Sequence, residues 1–195
     1  MTEVNEYSIS GFLNIEKDFV EFPSSFIERF IDDFDLIERM SRHYLNKKRM
    51  PRSIYDNIKK QDEFHEMFDK ERIVFKSFFD LYLHSNTSKS IKQNFDLSKK
   101  HSIFTAIPAW SREYCKYERI FATDHSRPYY SYLLGESMAD ETFNVFKNSS
   151  IICNSKLGRK FRKEIFATGS VRPAIASYKA FHGENFKKSM LSQFN

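Results

Sequence analysis

Ser24-Ser-Phe-Ile-Glu-Arg-Phe-Ile-Asp-Asp-Phe-Asp-Leu-Ile-Glu-Arg-Met-Ser-Arg-His-Tyr-Leu45 is the stretch that decides the fold class. Phe26, Ile27, Phe30, Ile31, Phe34, Ile37, Met40, Tyr44 and Leu45 recur at helical intervals, with Glu28, Arg29, Asp32, Asp33 and Arg39 on the other side. Such a stripe buries one face of a helix and leaves the other in water, so one or two amphipathic helices are expected here.

Outward from that stretch the pattern repeats. Pro51 marks a break, and Ser53 caps or opens a helix through Ile54, Tyr55 and Ile58. A third helix, expected to be buried, covers residues 62 to 84 on Phe64, Met67, Phe68, Ile73, Phe75, Phe78, Phe79, Tyr82 and Leu83. Ser85 to Ser90 reads as a surface loop and Ile91 to Leu97 as a shorter helix, followed by an irregular run to Trp110 broken by Pro108. Helices are expected again over Tyr129 to Phe146, Leu157 to Phe166 and Pro173 to Phe181, the last closed by Gly183 in the left-handed cap position.

Composition agrees. Five Gly and five Pro in 195 residues, 29% charged residues and no alternating β-branched run specify an all-α protein. The 21 Phe can fill a helical core without needing hydrogen-bond partners. We find no internal repeat and no linker, and expect an irregular segment over residues 1–17 and a helical part over 18–195.

Charge and cysteine content narrow the function classes. The net charge is +5, but 31 basic residues are interspersed with 26 acidic ones, and clusters such as Lys47-Lys48-Arg49 read as solvated helix faces. No nucleic-acid partner is expected. Cys115 and Cys153 are too few and too far apart for a disulfide scaffold or a zinc knuckle, and read as reduced core or boundary thiols. The acidic start Met-Thr-Glu-Val-Asn-Glu lacks the apolar run of a signal peptide, and no stretch is apolar enough to span a bilayer. The expected compartment is the cytoplasm, with no membrane association.

Three features carry candidate chemistry. Glu21 lies between Val20 and Phe22 in Asp18-Phe-Val-Glu-Phe-Pro-Ser-Ser25. A buried carboxylate there would need a cation, a metal or strong donors, whereas an exposed one would simply favour the start of a helix. His65-Glu66-Met67-Phe68-Asp69 has the outline of HExxH with Asp in the second His position, which we reject as a metal site because such pairs arise by accident in charged helices. In Tyr129-Tyr130-Ser131-Tyr132, Tyr129 and Tyr132 would share one helical face, either as oxyanion donors or as core-edge aromatics with satisfied hydroxyls.

Taken in order, several strings resemble one family. They are the Glu21 string, Ser41-Arg-His-Tyr44, Tyr129-Tyr-Ser-Tyr-Leu133, Gly158-Arg-Lys-Phe-Arg162, Gly169-Ser-Val-Arg-Pro-Ala174 and Lys179-Ala-Phe-His-Gly183. They resemble the C-terminal part of the zinc metallopeptidases of the thimet oligopeptidase, oligopeptidase A and peptidyl-dipeptidase type. The resemblance implies a hydrolase of short peptides in which two helical halves enclose a channel. It also implies one zinc, held by the two histidines of HExxH and by a glutamate that Glu21 matches. Three protein ligands would leave one position for a metal-acidified water. Tyr132 matches the oxyanion-stabilising tyrosine, with Tyr129 beside it and His125 as a substitute donor.

The sequence departs from that pattern twice. Residues 1–17 contain no histidine, so the other two zinc ligands and the general base are expected from outside this chain, from an N-terminal half carrying HExxH. A His followed by a Gly-Gly-Tyr loop is replaced by Arg119 and Thr123-Asp124-His125, which removes the backbone freedom of the glycines. The chain is therefore expected to be inactive alone. The alternative is a non-catalytic helical binding module built on the same scaffold.

Overall fold

The computed structural model describes residues 14–103, 107–108, 110–121 and 128–183, and among them every regular element is helical. The chain divides into two compact units. One takes residues up to Phe30 together with those from Ser131 onward, and the other takes Ile31–Tyr130.

In the first unit, α1 (Phe22–Glu28) packs on α6 (Ser131–Lys147), and α7 (Ser155–Phe161) and α8 (Ala174–His182) complete the packing. Residues 14–21 run into α1 as turns, with Pro23 in the first helical turn, where its missing N–H costs nothing. The core is a Phe cluster. Phe22, Phe26, Phe161 and Phe181 are buried with Tyr178, and the Phe26 and Phe161 ring centroids stand 4.2 Å apart. The expected helix 157–166 begins earlier, at Ser155, because Asn154 accepts hydrogen bonds from the Lys156 and Leu157 N–H groups. It then widens into a π-helical turn over Arg162–Phe166. Helix α8 ends as expected, with Gly183 at φ +87°, a left-handed conformation that strains any residue bearing a Cβ.

In the second unit, the stripe that opened the sequence reading continues past α1 as a 3-10 turn, and α2 (Phe34–Met40) follows. Asp33 caps α2, accepting from the Leu36 N–H at 2.7 Å. Two corrections concern the next element. The separate helices expected around residues 54–58 and 62–84 are one 34-residue helix, α3 (Arg52–Ser85). No Gly or Pro lies inside it, and the i,i+4 pairs Arg52–Asp56 and Glu66–Lys70 support its exposed face. Nor is it buried throughout, since every residue from 61 to 69 is exposed and Phe64 keeps 68% of its surface. Its C-terminal third carries Phe75 and Phe79 into a smaller core with Phe95 of α4 (Ile91–Ser98) and Ile120 of α5 (Glu118–Phe121). Ser90 and Gln93 form a reciprocal capping box at the start of α4.

Both cysteines are free and exposed, which corrects the expectation of core or boundary thiols. None of the helices among the described residues is long and apolar enough to cross a membrane.

Candidate functional site

Glu21 is the residue immediately before α1, half-buried, with helical backbone angles and no side-chain capping bond. Its main-chain carbonyl accepts from the Ser25 N–H at 3.1 Å and from Ser24 Oγ at 2.9 Å, so the first turn of α1 fixes its backbone. Phe19 and Phe22, buried on either side, anchor the segment in the Phe core, with ring centroids 5.1 Å apart.

What holds Glu21 from the other side is Gly135 of α6. A Cβ at Gly135 would lie 3.2 Å from the Phe22 nitrogen and 3.3 Å from both the Glu21 carbonyl carbon and the Glu21 Cβ. The α6 backbone therefore rests almost directly on the Glu21 backbone. Only the smallest residue permits that approach without displacement. A Gly inside a helical pattern is the sequence signal of such a close packing contact. Tyr132, half-buried, stands one turn before Gly135 on the same helix, so the carboxylate and this tyrosine come from adjoining backbones of one unit.

Tyr129 is placed differently. The helix expected from Tyr129 starts at Ser131, and Tyr129 lies in the preceding turn, so the shared-face argument for Tyr129 and Tyr132 does not apply. Its N–H donates to Asp80 Oδ2 at 2.7 Å. Its hydroxyl accepts from Lys76 Nζ at 3.2 Å. Asp80 is 7% exposed, and its second carboxylate oxygen lies 2.8 Å from His84 Nδ1, which also stands 2.9 Å from the Asp80 main-chain oxygen. Arg119 lies on α5 and is exposed. His125, with Thr123 and Asp124, lies outside the described residues.

Nearby in the second unit, Arg72, Phe75, Lys76, Ile107, Pro108, Ser111, Glu113 and Tyr117 line a cavity of about 240 Å³. Burial pushes the Tyr117 hydroxyl up to about 12, and the Glu113 carboxylate adds to the effect while Arg72 opposes it. Tyr117 therefore keeps its proton at any physiological pH.

The zinc implied by the resemblance can be tested against the donors present. Among the described residues no group of three or more His, Cys, Asp or Glu side chains is arranged to hold a metal ion. His65 and Asp69 are exposed on α3. A single carboxylate such as Glu21 does not make a zinc site, which takes three or four protein ligands. The described donors do not fit zinc without others.

The model of the family described as Peptidase family M3 matches residues 1–194. The chain belongs to peptidase family M3. It is 27% identical to the organellar oligopeptidase A, chloroplastic/mitochondrial, of Arabidopsis thaliana, over all of this chain and 26% of that protein. It is 24% identical to oligopeptidase A of Salmonella typhimurium, over 94% of this chain and 27% of the relative. It is also 24% identical to a thimet-like oligopeptidase of Dictyostelium discoideum, over 91% of this chain and 27% of the relative. This M3 chain thus spans about a quarter of the length of the curated relatives it matches.

Proposed function

We propose that this chain supplies the carboxylate and the tyrosines of a zinc-dependent oligopeptidase or peptidyl-dipeptidase acting on short peptides in the cytoplasm. A segment carrying HExxH completes the site, and the chain is inactive without it. In this reading residues 18–195 are the helical C-terminal part of a two-halved fold around a substrate channel, with residues 1–17 as an irregular lead-in. One observation carries the reading: the Glu21 backbone is seated against Gly135, one turn from Tyr132 on α6. The segment that carries Glu21 and the helix that carries Tyr132 come from distant parts of the sequence and pack closely at Gly135, which supports this reading.

The roles divide by chemistry. Glu21 contributes one anionic oxygen donor to the zinc. The Tyr132 hydroxyl donates a hydrogen bond to the peptide oxygen that gains charge as the carbonyl becomes tetrahedral, with Tyr129 and His125 as further donors. Co-expression with an HExxH-bearing upstream segment of a family relative tests this. Cleavage of a short fluorogenic peptide should appear, vanish in Glu21→Gln and fall roughly 100-fold in kcat in Tyr132→Phe.

The second reading, a binding module without chemistry, draws on Arg119 and Thr123-Asp124 standing where the family pattern has His and a glycine pair. A stable complex that binds peptides and never cleaves them would favour it.

A further inference from the structure

The cavity of the second unit is not used by the function proposed above, and its lining is chemically lopsided. Arg72 and Lys76 stand one turn apart on α3 and both face it. Among the described residues no carboxylate lies within ion-pair distance of Lys76. Its ammonium sits instead 5.3 Å from the centres of both the Tyr117 and Tyr129 rings and donates to the Tyr129 hydroxyl. The single ion pair of Arg72, to Asp69, is stretched to 3.8 Å on the exposed helix surface. The Tyr117 hydroxyl, a donor that keeps its proton, makes no hydrogen bond to any described residue.

Among the described lining residues the one acidic group, Glu113, is already paired with Lys116 at 2.9 Å. Phe75, Ile107 and Pro108 make the rest of the wall apolar. With the ion-pair partners Asp69 and Lys116 counted beside the lining, three cations against two carboxylates leave one positive charge among the described residues, and the apolar wall leaves room for a hydrocarbon tail.

We propose that this cavity binds a small monocarboxylate with an aliphatic tail. The carboxylate is held by Lys76 and Arg72, with the Tyr117 hydroxyl as a further donor, and the tail lies against Phe75, Ile107 and Pro108. The match to one charge argues against a phosphate dianion, whose second charge would find no counter-charge among the described lining residues. The size admits a branched acid of about six carbons within the 240 Å³ available.

Isothermal titration of the full chain with 4-methylpentanoate tests the proposal, alongside 4-methylpentanol and inorganic phosphate. Saturable binding of the acid is expected, with the alcohol and phosphate each at least tenfold weaker. Lys76→Met should weaken the acid at least tenfold. Lys76 also supports Tyr129, so Arg72→Gln, on an exposed part of α3, serves as the second variant and should weaken binding several-fold with an unchanged circular dichroism spectrum. Equal binding of the alcohol would reduce the cavity to an apolar dent, and tighter binding of phosphate would make it a general anion site. Either result overturns the proposal, as does acid binding that both variants leave intact, or no saturable binding of the acid.

Discussion

Helices α6 and α3 use their lengths in opposite ways. Over 17 residues α6 buries Ser131, Gly135, Ser137, Met138, Ala139, Thr142, Phe143 and Phe146, and Tyr132 stands on it, half-buried. Over 34 residues α3 buries only Tyr55, Phe75, Ser77, Phe79 and Asp80, and its middle turns expose Phe64 and Met67. Helix α6 is fixed by tertiary packing. The middle of α3 is held by backbone hydrogen bonds and surface ion pairs. In the first unit Tyr132 therefore sits on the tightly packed kind of element, and Glu21 on the segment that this helix packs against.

The largest expected effect breaks the rigid side of this contrast. Phe26→Ala removes a ring that is 2% exposed and packed on Phe161, and should cost about 3–5 kcal/mol in urea denaturation. The matching change on α3, Phe64→Ala, should stay within about 0.5 kcal/mol. Similar losses for the two would erase the distinction. Next comes the buried carboxylate of α3. Asp80→Ala leaves the Tyr129 N–H without its acceptor and should cost about 1–3 kcal/mol. Asn154→Ala removes the cap of α7 and should cost about 1 kcal/mol.

The smallest effect is a pH dependence confined to the second unit. The Tyr117 hydroxyl is pushed from 10.0 to about 12, so the folded chain retains a proton that the unfolded chain releases above pH 10. Its stabilising contribution is complete below pH 10 and is lost as the pH rises to about 12. Thermal melts over that range should show a decline that is shallower in Tyr117→Phe.

Local signals were legible at several points where the deciding group is a sequence neighbour, although the Asn154 cap of α7 is a neighbour whose effect was not foreseen. The break at Pro51, the helix at Ile91 and the Gly183 cap all follow from residues within a turn of the feature they decide. Three other features depend on remote parts of the chain. Tyr129 is tied to a remote helix through the bond from its N–H to Asp80. The exposure of Phe64 contradicts a stripe that, by periodicity alone, looks the same as the buried one at Phe75 and Phe79. Gly135 shows its purpose only once α1 lies against it. For the candidate site, the string around Glu21 and the paired tyrosines pointed to the family, and the match to peptidase family M3 bears that out. The close approach that brings Glu21 beside α6 could not be read from either string.

Zinc affinity tests the central claim most directly, because Glu21 is held to be one donor of a site that this chain does not complete. Competition titration against a chromophoric chelator should find no tight site on the purified chain. The same titration should find one tight zinc per complex after assembly with an HExxH-bearing segment, weakened about 10–100-fold or more by Glu21→Gln. Stoichiometric, tight zinc on the isolated chain, or an assembled complex indifferent to Glu21→Gln, would contradict the account.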